Sequence, residues 1–113
     1  MISDYSFGKI VVHGEKYHRD LRIVRGKVIP DWRRKKGHAV CLEDVRDLLE
    51  AEPQILIIGT GYFGMMSADD ALRELLLRKG IVLMEEKSGT AAKTFNRLLE
   101  EGKNVAAGFH LTC

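Results

Sequence analysis

The chain has 113 residues, of which 45% are hydrophobic and 30% charged, and its formal net charge is +2. This length and composition predict one folded domain over residues 1–113 and exclude an intrinsically disordered chain. The nearly balanced charge gives no general reason to expect a nucleic-acid or membrane partner, and no apolar run approaches the roughly 20 residues of a membrane span. Cys41 and Cys113 form no CxxC pair, so we expect no metal site and a reducing, cytoplasmic environment.

The first quarter of the chain has the pattern of antiparallel β-structure. Two strands are predicted over Phe7–Val12 and Tyr17–Val24, joined by a glycine-containing turn at His13–Lys16. The second strand alternates apolar and polar side chains, as a strand with one exposed face does. A short third strand is predicted at Lys27–Ile29 and ends before Pro30.

The rest of the chain alternates helical and buried-strand patterns. Three segments carry apolar side chains at helical spacing; the first is closed by Pro53, the second stops at Gly80 and the third at Gly102. Ser67 and Thr90 are predicted to cap the second and third helices. Continuous apolar runs predict three buried strands, which are Ile55–Ile58, Ile81–Met84 and Val105–Leu111.

This order of elements predicts the fold class. Strand, helix, strand, helix, strand over Ile55–Leu111 implies right-handed crossovers and a parallel βαβαβ core. The N-terminal hairpin adds an antiparallel part. We therefore expect an α/β domain with a mixed central sheet.

A GxGxxG pattern at Gly59–Gly64 directly follows a buried strand, and Glu85 and Glu86 lie near the position of a ribose-binding acid in dinucleotide folds. The predicted helix cap at Ser67, however, falls beyond the pattern rather than within it. The loop also carries bulky apolar side chains, which are Tyr62, Phe63, Met65 and Met66. We expect a tight structural loop that binds neither NAD nor FAD, with a small-anion crevice as the alternative.

Four consecutive cations, Arg33–Lys36, follow Trp32. Such a run can bind phosphates or an acidic partner, but the low net charge favours a solvated loop with little nucleic-acid affinity. We expect Trp32 to be a partly buried anchor. No HExxH or GxSxG motif is present, and His110 and Cys113 would pair only if the tail bends. These patterns favour a non-catalytic protein.

The predicted parallel core suggests one candidate ligand site. Loops that leave the carboxyl ends of neighbouring parallel strands meet at one edge of the sheet, where helix caps direct free amides into the gap. Lys93, one turn past Thr90, would add a positive charge. We hypothesise a weak anion site there, with metal excluded, at Gly59, Thr60, Gly61, Thr90 and Lys93.

Several short motifs, spread over nearly the whole chain, together resemble one known family. They are Ser6-Phe7-Gly8-Lys9-Ile10 with Gly14, Tyr17 and Asp20, then Trp32, Gly37-His38, Ile58-Gly59-Thr60-Gly61, Thr90-Ala91-Ala92-Lys93 with Asn96, and His110-Leu111-Thr112-Cys113. The pattern is similar to the small domain family of the adipogenesis-associated protein, which includes a mitochondrial complex I assembly factor.

The resemblance implies a three-layer α/β fold with a mixed central sheet and an added small β layer. It implies no reaction and no catalytic residues, because the family has none that are established. Its eukaryotic members look like assembly or regulatory proteins. We therefore expect a cytoplasmic binding or assembly module that acts through a protein partner or self-association, with an enzyme or sensor of a small anionic ligand as the alternative.

Overall fold

Ten strands and three helices follow one another along the chain, and the computed structural model describes all residues from 1 to 113. The elements are β1 (Ile2–Ser6), β2 (Lys9–Val12), β3 (Glu15–Tyr17), β4 (Leu21–Val24), β5 (Lys27–Ile29), β6 (Ala39–Val40), α1 (Leu42–Glu50), β7 (Ile55–Thr60), β8 (Ser67–Ala68), α2 (Asp70–Lys79), β9 (Val82–Glu86), α3 (Ser88–Glu100) and β10 (Val105–His110). No helix is both long and apolar enough to cross a membrane.

The central sheet has five strands in the order β5-β4-β10-β7-β9. β10 lies at its centre, parallel to β7 and antiparallel to β4, and β7 is parallel to β9. This arrangement confirms the mixed sheet with a parallel core. The N-terminal strands form a separate antiparallel sheet in the order β1-β2-β3, which confirms the hairpin layer.

Two hydrophobic clusters fill the space on the two faces of the central sheet. Because side chains alternate along β7, Ile57 belongs to one cluster while Leu56 and Ile58 belong to the other. The first cluster joins the sheet to α3 and the N-terminal sheet, and the second joins it to α1 and α2. The fold is therefore the expected three-layer α/β domain.

Trp32 packs against Gly108 of β10, the central strand of the sheet. A Cβ atom on Gly108 would lie 2.6 Å from the Trp32 ring, so only glycine in β10 leaves room for the indole. The indole Nε1 donates to the carbonyl of Asp44 at 2.9 Å, and Trp32 is only 5% exposed. The predicted anchor is confirmed, and it is more deeply buried than expected.

The predicted strand over Tyr17–Val24 is wrong as one element. The structure divides it into β3 and β4, which belong to different sheets and are separated by residues 18–20. The side chain of Asp20 leaves the strand pattern at this point and accepts a hydrogen bond from the backbone of Leu111 at 2.8 Å. The alternation of side chains continued through the break and so concealed it.

Both predicted helix caps are also displaced. Ser67 lies in β8, which pairs with β6, and Asp69 caps α2 by accepting the amide proton of Leu72 at 2.8 Å. α3 begins at Ser88, so Thr90 is its third residue rather than its cap. The predicted ends are confirmed at Gly80 and Gly102, which have φ values of 72° and 76°.

Candidate functional site

The GxGxxG loop is bound to the start of α3 by Ser88, which is fully buried. The amide of Gly61 donates to Ser88 Oγ at 2.9 Å, and the amide of Ser88 donates back to the Gly61 carbonyl at 3.1 Å. The Ser88 hydroxyl in turn donates to the carbonyl of His110. The backbone group that would face an anion is thus bonded within the protein.

Gly61 is also packed too tightly for a side chain. Its φ is +104°, and a Cβ atom there would lie 2.7 Å from the carbonyl oxygen of Thr112 and 2.8 Å from the His110 ring. Tyr62, the next residue, donates its amide proton to the same Thr112 carbonyl at 2.7 Å. α2 starts only at Asp70, so the glycine pattern lacks the immediate strand-to-helix turn of dinucleotide sites.

Replacing Ser88 with alanine is expected to lower the free energy of unfolding by about 2 kcal/mol, because the buried amide of Gly61 loses its acceptor. Denaturant titration measures the change. Thr90→Ala is the matched control, since Thr90 is an exposed residue of the same helix. A Ser88→Ala effect no larger than that of the control would contradict this account of the loop.

The structure separates the five predicted anion-site residues into two groups. Thr90 and Lys93 line an open groove, whereas Gly59, Thr60 and Gly61 are buried and do not line it. Gly59 is enclosed by the Phe109 ring and Ser88. The two groups belong to the same region of the fold, but Ser88 stands between the glycine backbone and the rest of the helix.

This groove, hereafter the β1–α3 groove, has a volume of about 610 Å³ and runs between the edge strand β1 and the first turns of α3. Lys87, Thr90 and Lys93 line its helical side. Neither lysine forms a salt bridge. The acid on the strand side, Asp4, is bound instead to Lys9 at 3.6 Å. The groove therefore presents two positive charges without protein counter-ions.

Asn96 closes one end of this groove by binding the edge of β1. Its Oδ1 accepts the amide proton of Ile2 at 2.9 Å, and its Nδ2 donates to the carbonyl of Ile2 at 2.6 Å. The side-chain amide thus takes the place that a neighbouring strand would occupy at this residue. Beyond Ile2, the backbone of Ser3–Ser6 makes no hydrogen bond outside its own sheet.

A patch of exposed apolar side chains adjoins the other end of the groove. Phe7, from the turn between β1 and β2, meets Tyr62 and Phe63 of the glycine loop, with ring centroids 5.0 to 6.3 Å apart. Met65 is exposed in the same loop, and each of the four residues is 49–61% exposed. We call Phe7, Tyr62, Phe63 and Met65 the aromatic patch. Tyr62 also lines the groove, so the two surfaces are continuous.

The sequence indicated three of the four residues of this patch, Tyr62, Phe63 and Met65. Tyr62, Phe63, Met65 and Met66 were predicted to make the loop after β7 bulky and apolar; the first three are exposed, whereas Met66 is buried. Phe7 was predicted to begin a strand rather than to belong to this patch, because it is 55 positions from Tyr62 and only the packing of the N-terminal sheet brings it close. The signal that is available in the sequence is Phe7 followed by Gly8, an aromatic residue at a turn.

Asp20, Arg34 and His110 form a largely buried charged cluster at the carboxyl end of β10. Asp20 Oδ2 lies 2.7 Å from His110 Nδ1 and accepts a hydrogen bond from Arg34 Nη2 at 2.8 Å. The guanidinium carbon of Arg34 also lies over the Trp32 ring, 4.6 Å from the ring centroid. The Arg34 side chain is 6% exposed. The expectation of a wholly solvated basic run is therefore wrong for Arg34, while Arg33, Lys35 and Lys36 are exposed.

The surroundings of Asp20 stabilise its charged form. Burial by itself would raise the pKa of this carboxyl, but hydrogen bonds from His110, the Leu111 amide and Arg34 outweigh it and lower the pKa below the ordinary value of 3.8. The cluster ties the loop before β4 to the end of β10. No group of three or more His, Cys, Asp or Glu side chains is arranged to hold a metal ion.

The whole chain has relatives among known proteins. A family described as "Protein of unknown function (DUF498/DUF598)" matches residues 2–110. The solved structure named MT938 is 30% identical with a TM-score of 0.83, over 100% of this chain and 98% of that one. The conserved hypothetical protein PH1505 from Pyrococcus horikoshii OT3 is 25% identical with a TM-score of 0.86, over 100% and 99%. A structure described as an outer membrane protein from Bartonella henselae is 25% identical with a TM-score of 0.84, over 99% and 94%.

These similarities cover nearly every residue of the three layers described above. They confirm the resemblance to a small α/β domain family without an assigned reaction. The chain belongs to the DUF498/DUF598 family of proteins of unknown function.

Proposed function

We propose that this protein is a non-catalytic binding module that acts through a protein partner docked on the aromatic patch. The observation that carries the proposal is the mutual contact of three exposed aromatic rings, from Phe7, Tyr62 and Phe63. Contiguous exposed apolar surface is uncommon on monomeric proteins and is typical of interaction sites. Tyrosine and other large aromatic residues also supply much of the binding energy at protein interfaces.

The patch is held in place before any partner arrives. The turn that carries Phe7 is fixed by a hydrogen bond from the Gly8 amide to the Leu111 carbonyl at 2.9 Å. The loop that carries Tyr62 is fixed to Thr112 at 2.7 Å. Both loops are thus anchored on the same C-terminal segment. A surface that is already ordered loses little conformational entropy on binding, which favours a recognition role.

The second candidate is an enzyme or sensor of a small anionic ligand. It is supported by Thr90 and Lys93 in the β1–α3 groove. The bond between the Gly61 amide and Ser88 weakens it, because this donor is no longer available to a ligand. For either function we propose a cytoplasmic location. Cys41 and Cys113 are free thiols, which are typical of a reducing compartment.

Selection from a phage-displayed library of random short peptides tests the binding module directly. We expect peptides that bind the native protein and lose about tenfold or more in affinity for a Phe7→Ser/Phe63→Ser variant. Truncation of a hot-spot side chain costs about 2 kcal/mol or more, which exceeds the roughly 1.4 kcal/mol that corresponds to tenfold. Leu77→Ser is the matched control, because Leu77 is 80% exposed on α2 and lies outside the patch. Self-association through the patch would appear as a dimer in sedimentation equilibrium that the double variant abolishes.

Peptides that bind the double variant as well as the native protein would contradict the proposal, as would a library that yields no binder together with a monomeric protein. In that case a small ligand would become the better explanation of the groove.

A further inference from the structure

Resting on the proposed function, we infer that the partner contributes a short extended segment, with an apolar side chain next to acidic ones, that lies in the β1–α3 groove as an added strand. Its apolar side chain packs on the aromatic patch and its carboxylates bind Lys87 and Lys93. The inference thus names the chemistry of the partner and the way in which it is held.

The first support is the free edge of β1. β1 is the terminal strand of its sheet, and β2 covers only one of its sides. The register of β1 against β2 shifts between Ile2 and Asp4, so the regular part of the edge is Asp4–Ser6. The backbone there makes no hydrogen bond outside the sheet, and its outward-facing groups are available to a further strand. Exposed sheet edges bind extended peptides through main-chain hydrogen bonds.

The second support is the pair of hydrogen bonds that Asn96 makes with this edge. Its side-chain amide binds both backbone groups of Ile2, as a strand residue would, and so marks where an added strand has to stop. Beyond the irregular register at Ser3, the regular edge opens onto the groove from Asp4. The segment therefore has a defined start at Asn96 and a defined end at Tyr62, where the aromatic patch begins.

The third support is electrostatic. Lys87 and Lys93 line the groove opposite β1, are exposed and have no salt-bridge partner, whereas Asp4 on the strand side is bound to Lys9. An acidic segment would neutralise the charges of both lysines, whereas a basic segment would be repelled by them. Gly64 lies close to Lys87, since a Cβ atom there would be 3.3 Å from Lys87 Cγ, so this lysine also borders the patch loop.

The charge term is tested with the peptides selected on the native protein. We expect acidic side chains beside an apolar one in their sequences. The Lys87→Glu/Lys93→Glu variant should bind them about tenfold more weakly or worse, and Lys87→Gln/Lys93→Gln should show a smaller loss. The matched control is Lys79→Glu/Lys103→Glu, which makes the same change in net charge at two exposed lysines outside the groove and should change affinity less than about twofold.

The strand-like binding mode is tested by N-methylation of one peptide amide at a time. An added strand directs every second residue towards its neighbour, so affinity should fall at alternate positions only. An equal loss at all positions, or at none, would overturn strand addition.

The outcomes separate the two proposals. Peptides that need Phe7 and Phe63 but tolerate the lysine reversals would overturn the inference and leave the binding module standing. Peptides that need neither would overturn both. Inorganic phosphate that binds at Lys87 and Lys93, while no peptide depends on the patch, would assign the groove to a small anion instead.

Discussion

Replacing Asp20 with asparagine is expected to lower the free energy of unfolding by about 3 kcal/mol at neutral pH. The carboxylate binds Arg34 and His110, whose side chains are 6% and 9% exposed. Its removal leaves the Arg34 charge buried without its counter-ion. Denaturant titration measures the loss.

Asp31→Asn is the control, because Asp31 and Arg19 form an exposed pair at 3.6 Å whose loss should cost less than about 1 kcal/mol. An Asp20→Asn effect as small as that of Asp31→Asn would contradict the role of the cluster.

The same cluster predicts a pH dependence. Because folding lowers the pKa of Asp20, its contribution is complete above the unfolded value, near 3.8, and is lost as the pH falls through the lower folded value. The difference in stability between the native protein and Asp20→Asn should therefore shrink as the pH falls below about 4. A difference that grows as the pH falls below about 4 would have the wrong sign and would contradict the role of the Asp20 carboxylate.

Replacing Gly61 with alanine is expected to have a comparable effect, about 3 kcal/mol or more, for two additive reasons. The φ of +104° disfavours any residue with a Cβ atom, and the new methyl group would lie 2.7 Å from the Thr112 carbonyl. Gly14→Ala separates the two terms, because Gly14 has a φ of +82° but no atom within 4 Å of the new Cβ.

We expect Gly14→Ala to cost about 1 kcal/mol and Gly61→Ala clearly more, as measured by thermal and denaturant unfolding. Equal costs would show that the close approach of the C-terminal segment to the loop contributes nothing.

The sequence predicted the central sheet well because its signals are local and strong. The runs that became β7, β9 and β10 are continuous and apolar, and all three form strands of the central sheet. The predicted burial is confirmed for β7 and β10 but is wrong for β9, because β9 lies at the edge of the sheet, where Val82 is 55% exposed. Gly80 and Gly102 marked helix ends, since a left-handed residue stops a helix in any context. These features depend on few neighbours in space.

The caps were misplaced because tertiary contacts decide them. Ser67 is a good local cap, but the pairing of Ser67–Ala68 with Ala39–Val40 keeps that segment extended until Asp69. Ser88 starts α3 before Thr90, with its own hydroxyl bonded to His110 rather than to the helix. In both cases the local sequence allows the helix to start at more than one residue, and a contact with residues distant in sequence decides where it starts.

The features of the candidate surface likewise fall into two groups, those that local sequence patterns indicated and those that tertiary contacts decided. Composition, periodicity and turn residues by themselves determined an α/β domain with a parallel core, and they singled out the apolar loop after β7 together with Lys93. Only the tertiary structure placed Phe7 against that loop, left the edge of β1 open beside Lys87 and buried Arg34 against Asp20. The physical reason is that periodicity reports which face of an element is buried, whereas contacts between residues far apart in sequence depend on how the three layers stack.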